Sequence, residues 1–376
     1  MYIPFLPVSL QPPLSRQTRV NCGYPRIKYF ALGRQAMRVG LDVLNIKKND
    51  TVLMPASMCS AVIEPFHDLG VNITRYKLDS SLQFSLDNII ESVTPSTTAI
   101  YVIHYFGIKA DLSVLQKFCG ERDIALIEDC ALSGFSADPT VVEFGDICIY
   151  SLWKFHALAD GAILKIREQI PTISAITYKP KGIFLTLLSS LKIEIKKWIM
   201  RGVLSHKYLI MMRGELQDYC LSEESVSDLS PITSINKMSQ LSLQRFLGED
   251  LEGVARQRRF NFHELAAYCK SKNIRTLYSE LAENDIPYCF PIIVDNAVLV
   301  QRKLAESGIE SEISVNSPSS FSGLLGNTKK AAHLEQLSRK CLSLPIHQNI
   351  DIAMLGYLKS KLSSAITLTS EGANQN

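Results

Sequence analysis

The chain has no Cys-x-x-Cys pair and no His-Glu-x-x-His stretch, and its seven histidines are dispersed. No metal site is therefore expected, since the ligand spacings of structural and hydrolytic zinc are missing. Excess charge of one sign is lacking too: 40 basic against 37 acidic residues leave a formal +3, so there is no electrostatic footprint for nucleic acid. No long hydrophobic run is present. The stretch Gly182 to Leu191 is broken by Thr186, Ser189 and Ser190 and is about half of the roughly 20 residues that a spanning helix needs. Met1 to Leu14 lacks a basic n-region and carries Pro4, Pro7, Pro12 and Pro13, unlike a signal peptide. The expectation is a cytoplasmic protein. No internal repeat or low-complexity tract is visible.

What is present is a core. Of the 376 residues, 46% are hydrophobic and 20% charged, ordinary globular usage for a chain of two to three domains or one large domain with an appendage. Nine cysteines are scattered, several inside apolar runs such as Asp146-Ile147-Cys148-Ile149-Tyr150, which is reduced, buried usage. From about residue 30 to 166, helical stretches alternate with short apolar runs, the pattern of βαβ units around a mostly parallel sheet. Strands are expected at Thr51 to Met54, Asn72 to Leu78, Ala99 to His104, Ala125 to Glu128, Ile147 to Ser151 and Ala162 to Ile166. Helices are expected at Arg34 to Leu44, after Ser57, at Ser85 to Ser92 and at Asp111 to Cys119, with Asp111 as N-cap. The expected organisation is an arm over 1–29, a large domain over 30–166, bridging helices inserted over 167–240 and a small α+β domain over 241–376, with a strand at Tyr288 to Val294 and a helix at Asn296 to Ser307.

In open α/β sheets ligands bind beyond the carboxyl ends of the strands. The run Ile124 to Ile127 ends in Glu128-Asp129, and the run ending at Tyr150 leads into Ser151-Leu152-Trp153-Lys154. Gly33-Arg34-Gln35 opens a helix whose first N–H groups can hold an anion, and His104-Tyr105-Phe106-Gly107 closes a further strand. Singly, each has a bland reading: a capping Asp, a solvated Lys, a common helix start, an aromatic turn. Together they are the parts of a pyridoxal phosphate site. A lysine amine forms a Schiff base with the cofactor aldehyde, a carboxylate keeps the ring nitrogen protonated, and helix N–H groups with a hydroxyl hold the phosphate.

In these blocks the chain resembles the DegT/DnrJ/EryC1/StrS family of sugar aminotransferases. The matching stretches are GRQAMRVGLDVLNIKKNDTVLMPASMCS, TTAIYVIHYFGIKADLSVLQKFC, IALIEDCALSGFS, FGDICIYSLWKFHALADGAIL and CLSLPIHQNID. The resemblance implies a fold-type-I, pyridoxal-phosphate-dependent transferase with a helix-flanked, mostly parallel large domain and a smaller α+β domain. It implies a homodimer with shared sites, moving an amino group, with glutamate as the expected donor, onto a nucleotide-linked keto sugar in amino-sugar or cell-surface polysaccharide synthesis. By position it implies Asp129 at the pyridine nitrogen, Lys154 as the Schiff-base lysine and proton shuttle, and Gly33, Arg34, Gln35 and Ser151 at the phosphate. Ser57, His104 and Tyr105 would line the pocket.

The chain also departs from the family. Leu132 stands where a glutamine is common, Ser57-Met58-Cys59 lacks the ring-covering aromatic, and Asp160-Gly161-Ala162 replaces a double glycine. An ungapped count of five from Ser151 reaches His156, not Lys154. Family members with histidine there are C3 dehydratases of keto sugars, which leaves a dehydratase with His156 as base as an alternative. A weakened member acting as a binding or assembly subunit is a second alternative. The shorter loop S-L-x-K-x-x-x-x-x-D-G resembles a branch that keeps the lysine, and favours Lys154.

Ile183 to Arg201 spaces apolar residues helically among Lys192, Lys196, Lys197 and Arg201. Such a face packs on its own domain or partner, or lies on an anionic membrane surface. Arg256, Arg258 and Arg259 are either a solvated helix face or a contact for a nucleotide diphosphate. Leu344-Pro345-Ile346-His347 is expected to turn the chain, without a catalytic role.

Overall fold

In the computed structural model the described residues are 1–7, 26–138, 141–170, 232, 234–313, 315 and 332–373. The expected helical stretch at 183–201 lies outside them, as does nearly all of the expected insertion.

The large sheet has seven strands: β1 (Ile27–Phe30), β2 (Thr51–Pro55), β3 (Asn72–Tyr76), β4 (Thr97–Ile103), β5 (Ala125–Asp129), β6 (Ile147–Ser151) and β7 (Ala162–Ile166). Their order is β1-β7-β6-β5-β4-β2-β3. The pairs from β3 through β6 are parallel, and β7 joins β6 and β1 antiparallel. Parallel neighbours require crossovers, here α1 (Gly33–Val43), α2 (Ser60–Leu69), α3 (Leu86–Ser92) and α4 (Ser113–Gly120). Both faces of the sheet are covered, so the inner strands β2 and β4 to β7 are almost continuously buried, while the edge strands β1 and β3 are only partly so. The expected strands and helices are present with ends shifted by a few residues. Two details differ. The stretch Ile27–Phe30, expected to belong mostly to an arm, is an edge strand paired to Ala162–Lys165. Leu112, not Asp111, holds the N-cap position of α4, while Asp111 accepts from the Ser113 N–H at 2.9 Å.

Helix α1 packs its buried Ala36, Val39, Gly40 and Val43 on one face of the sheet. A Cβ on Gly40 would lie 2.5 Å from Ile147 Cδ1, so glycine permits this close approach. The opposite face carries Cys130, Cys148, Tyr150 and Ile163, covered by Phe135, Met238 and Phe246.

The second unit follows α5 (Gln240–Leu247) and the long α6 (Leu251–Ser271). It is a three-stranded antiparallel sheet, β8 (Arg275–Thr276), β9 (Cys289–Ile293) and β10 (Cys341–Pro345), in the order β10-β9-β8. With it go α7 (Ala297–Glu306), α8 (Ala332–Lys340) and α9 (Ile352–Ala373). Asn296 caps α7 by accepting from Leu299 N–H at 2.9 Å. The first residues of the chain dock here: Ile3 bridges Ile309, and His347 Nε2 bonds the Pro4 carbonyl at 2.9 Å. No helix of the described residues is long and apolar enough to cross a membrane.

Candidate active site

Successive strand residues point to opposite faces, so Glu128 and Asp129 at the end of β5 part company. Asp129 is buried and registers beside Ile149 of β6, on the face that α1 covers. Its Oδ1 accepts from Ala131 N–H at 2.8 Å, and its Oδ2 accepts the Tyr101 hydroxyl. Lys154 closes a 3-10 turn, Leu152–Lys154, that directly follows β6. It is half-buried, and its Nζ stands 5.6 Å from the ring centroid of Tyr288.

Cys59, at the N-cap of α2, connects the two. The residue is exposed, yet the protein atoms crowded around its sulfur push the thiol up, the Lys154 ammonium pulls it down and the Asp129 carboxylate pushes it up again. A carboxylate, an amine and a thiol thus follow the carboxyl ends of β5, β6 and β2, on one end of the sheet.

Gly33 begins α1 on the same face: a Cβ there would meet only Ile149 Cγ2, at 4.0 Å. Leu32, at the N-cap, provides no side-chain acceptor for the first N–H groups, which leaves the positive end of an 11-residue helix open to an anion. The Arg34 side chain is bound to Glu64 at 2.9 Å. Gln35 is buried and donates to Ser234 O at 2.8 Å and Asn236 Oδ1 at 2.9 Å. The Gln35 N–H donates to Leu32 O at 3.1 Å, so the anion position is left to the backbone of Gly33 and Arg34 rather than to the side chains of the trio. Ser151 is buried at the end of β6. The Tyr105 hydroxyl donates to the Ser57 carbonyl, which ties the loop after β4 to the loop after β2.

Two sequence-expected site residues are turned elsewhere. His104 is buried against Glu128 on the opposite face, with Nε2 at 2.9 Å from Oε1. Its Nδ1 accepts from Ala110 N–H at 3.1 Å, so Nε2 carries the proton and donates. His156 is buried with Nδ1 at 2.9 Å from Glu249 Oε2 and its ring edge-on to Phe246 at 5.3 Å. Phe246 belongs to the cluster on the sheet face away from Asp129.

Glu128 also accepts from Phe144 N–H and Gly145 N–H, each at 2.8 Å. The thiols of Cys130 and Cys148 lie 3.7 and 3.6 Å from its oxygens. Burial raises its pKa, but the His104 bond, the Gly145 N–H and Lys109 outweigh that and bring it to about 2. His104, Glu128 and Cys130 place a nitrogen, an oxygen and a sulfur within 4.8 Å of one another. Both carboxylate oxygens are already engaged, and burial pushes both thiols well above their usual range. The cluster is held together by hydrogen bonds. A cavity of about 250 Å³ on this side is lined by Arg26, Glu143, Cys148, Lys165 and Arg167. There Lys165 pairs with Glu143, and Arg167 pairs with Asp146 at 2.8 Å.

Sequence reasoning gave no site role to three residues around Lys154 and Asp129, and a different role to a fourth, Arg258. Tyr101 bonds Asp129, and Cys59 holds the N-cap of α2. Tyr288 comes from the second unit, and Arg258 of α6 holds the lysine turn from behind. Arg258 is buried, stacks over the Phe155 ring at 4.5 Å and donates to Tyr288 O at 3.0 Å, Pro287 O at 3.2 Å and Phe155 O at 3.4 Å. Burial lowers its pKa to about 10. Neither expectation for the arginine trio fits it. Arg259 donates to Asp285 O at 3.0 Å, and only Arg256 is a solvated partner of Glu252.

Residues 30–163 match the model of the DegT/DnrJ/EryC1/StrS aminotransferase family. The chain is 26% identical over 136 residues to the dTDP-4-dehydro-2,3,6-trideoxy-D-glucose 4-aminotransferase of Saccharopolyspora spinosa, an alignment spanning 35% of this chain and 34% of that protein. The curated relative is thus matched over about a third of its length. The fold extends further. The aminotransferase TlmJ of Streptoalloteichus hindustanus superposes with a TM-score of 0.62 at 16% identity, over 92% of this chain and 87% of that one. The Escherichia coli GDP-4-keto-6-deoxy-D-mannose-3-dehydratase, solved with bound hydrated PLP, gives 0.62 at 17% identity over 92% and 90%. The fold is the one these structures share.

Proposed function

We propose that the chain is a pyridoxal-phosphate-dependent aminotransferase, on the match of residues 30–163 to the DegT/DnrJ/EryC1/StrS aminotransferase family model. It would transfer an amino group from an amino acid, with glutamate as the expected donor, to a nucleotide-linked keto sugar, as a homodimer. One observation carries the reading: Asp129 ends β5, Lys154 closes the turn that follows the adjacent parallel strand β6, and α1 starts without a side-chain cap on the sheet face of Asp129.

The residues suit the cofactor. Asp129 keeps lone pairs beyond those taken by Tyr101 and Ala131, enough for a ring N–H. The space above Gly33 and the first N–H groups of α1 suits a phosphate. Pyridoxal phosphate, when bound, supplies an electron sink that acidifies the carbon bearing the amine. Asp129 would hold the proton on the ring nitrogen. Lys154 Nζ would tether the cofactor through its aldehyde carbon and, once displaced by the donor, carry a proton from one carbon to the other. Tyr288 and Arg258 keep that amine and its turn in place.

A dehydratase with His156 as base has less support, because that ring meets Glu249 and Phe246. The test is borohydride reduction of the protein with pyridoxal phosphate, followed by peptide mass analysis. Covalent capture at Lys154 is expected in wild type and in His156→Ala, and none in Lys154→Ala. Cofactor bound but never captured would turn the reading to the dehydratase. No binding at all would favour an assembly subunit.

A further inference from the structure

Tyr101 lies in the middle of β4, beside Ile127 in register and two residues short of the Ile103–Asp129 pair. It shares a sheet face with Asp129, and its hydroxyl reaches up that face to Oδ2. The ring is held rather than mobile: it is 1% exposed and meets Phe66 edge-on at 5.7 Å. On the other oxygen the Ala131 N–H donates at 2.8 Å. The carboxylate is therefore gripped at both oxygens, and turning about its Cβ–Cγ bond breaks both grips. Leu132 brings no polar group to the pocket, so orientation of a bound ring rests more heavily on the carboxylate.

We propose that Tyr101 is the positioning residue for Asp129, aiming the free lone pairs of the carboxylate at a ring nitrogen of the ligand; this rests on the reading of the site given above. Burial and the Asp129 charge both push the phenol well above its ordinary range, so it remains a donor at any working pH. Tyr101 itself touches no reacting atom. Its effect passes through Asp129 alone, and only onto a ligand with a nitrogen at that ring position.

The experiment compares affinities of the full chain for pyridoxal phosphate and for its 1-deaza analogue, in which the ring nitrogen is replaced by carbon. The proteins are wild type, Tyr101→Phe, Asp129→Ala and the double variant. Phe keeps every ring contact of Tyr101, and melting of the cofactor-free variant checks the fold. The expected result is that Tyr101→Phe weakens pyridoxal phosphate about tenfold, leaves the analogue unchanged, and adds nothing once Asp129 is Ala. Equal weakening for both ligands, no weakening for either, or an additive loss in the double variant overturns the proposal. Wild type that binds neither ligand refutes the underlying reading, and the proposal with it.

Discussion

Glu128 and Asp129 are neighbours in sequence with opposite duties. Glu128 accepts from His104, Phe144 and Gly145 on one face, while Asp129 keeps lone pairs for the pocket on the other. Every group facing Glu128 is a donor, so an amide NH2 in its place meets another donor whichever way it turns. Glu128→Gln should therefore cost about 3 kcal/mol, read as a lower urea midpoint at unchanged slope. Arg258 acts at a distance from the pocket, through the carbonyls of Phe155 and Tyr288. Arg258→Met keeps much of the stacking volume over Phe155 but loses these bonds. It should destabilise by about 2–3 kcal/mol and slow capture of cofactor at Lys154, both measurable on one preparation. Asp129 and Lys154 were legible in the sequence because each follows an apolar run, where an α/β sheet places its ligands. Tyr101 and Cys59 were not. A tyrosine inside an apolar run reads as core, and only strand register brings its hydroxyl to a carboxylate 28 positions away.

At the scale of elements, the parallel strands and their helices could be read from periodicity, and their ends were off by only a few residues. The edge strand Ile27–Phe30 escaped because four residues containing Lys28 and Tyr29 carry too little alternation, and its pairing with β7 spans more than 130 positions of sequence. The side-chain directions of His104 and His156 also escaped, since one residue of register decides which face a strand-end side chain meets. The turn after β4 was visible only as an aromatic Gly stretch, yet it is a joint. Gly107 sits at φ +86°, and a Cβ there would lie 2.4 Å from Leu132 O and 2.7 Å from Ile286 O. Phe106 O accepts from Tyr288 N–H at 2.8 Å across the same joint. Gly107→Ala adds backbone strain and a clash with two carbonyls, neither able to move as a side chain does. It should cost roughly 2–3 kcal/mol and lower the melting temperature. By shifting Tyr288 from the Lys154 amine, it should also reduce cofactor affinity at temperatures where the fold persists.

Across the whole molecule, the second unit does more than cap the first. Tyr288, Arg258 and Gln348 converge on the turn that carries Lys154, with Gln348 donating to Phe155 O at 2.8 Å. The first residues of the chain close the same region through Phe5, whose ring lies 5.5 Å from Tyr288, and through Pro4 on His347. His347 is the acid-sensitive point of this assembly. Burial lowers its pKa to about 3, Arg258 adds to that, and the bond to Pro4 O only partly opposes it. Its folded pKa lies below the unfolded value of about 6.5, so the unfolded chain takes up the proton first. The stability it contributes is present above about pH 6.5 and is lost progressively as the pH falls toward 3. Glu128, also depressed in the folded state, adds its own loss only below about pH 4.5. Between about pH 6.5 and 4.5 the His347 contribution should therefore approach 1.4 kcal/mol per pH unit. Unfolding midpoints in urea, taken across this range for wild type and for His347→Gln, should show that slope in wild type and a markedly shallower one in the variant. Parallel slopes would mean that the proton is taken up elsewhere.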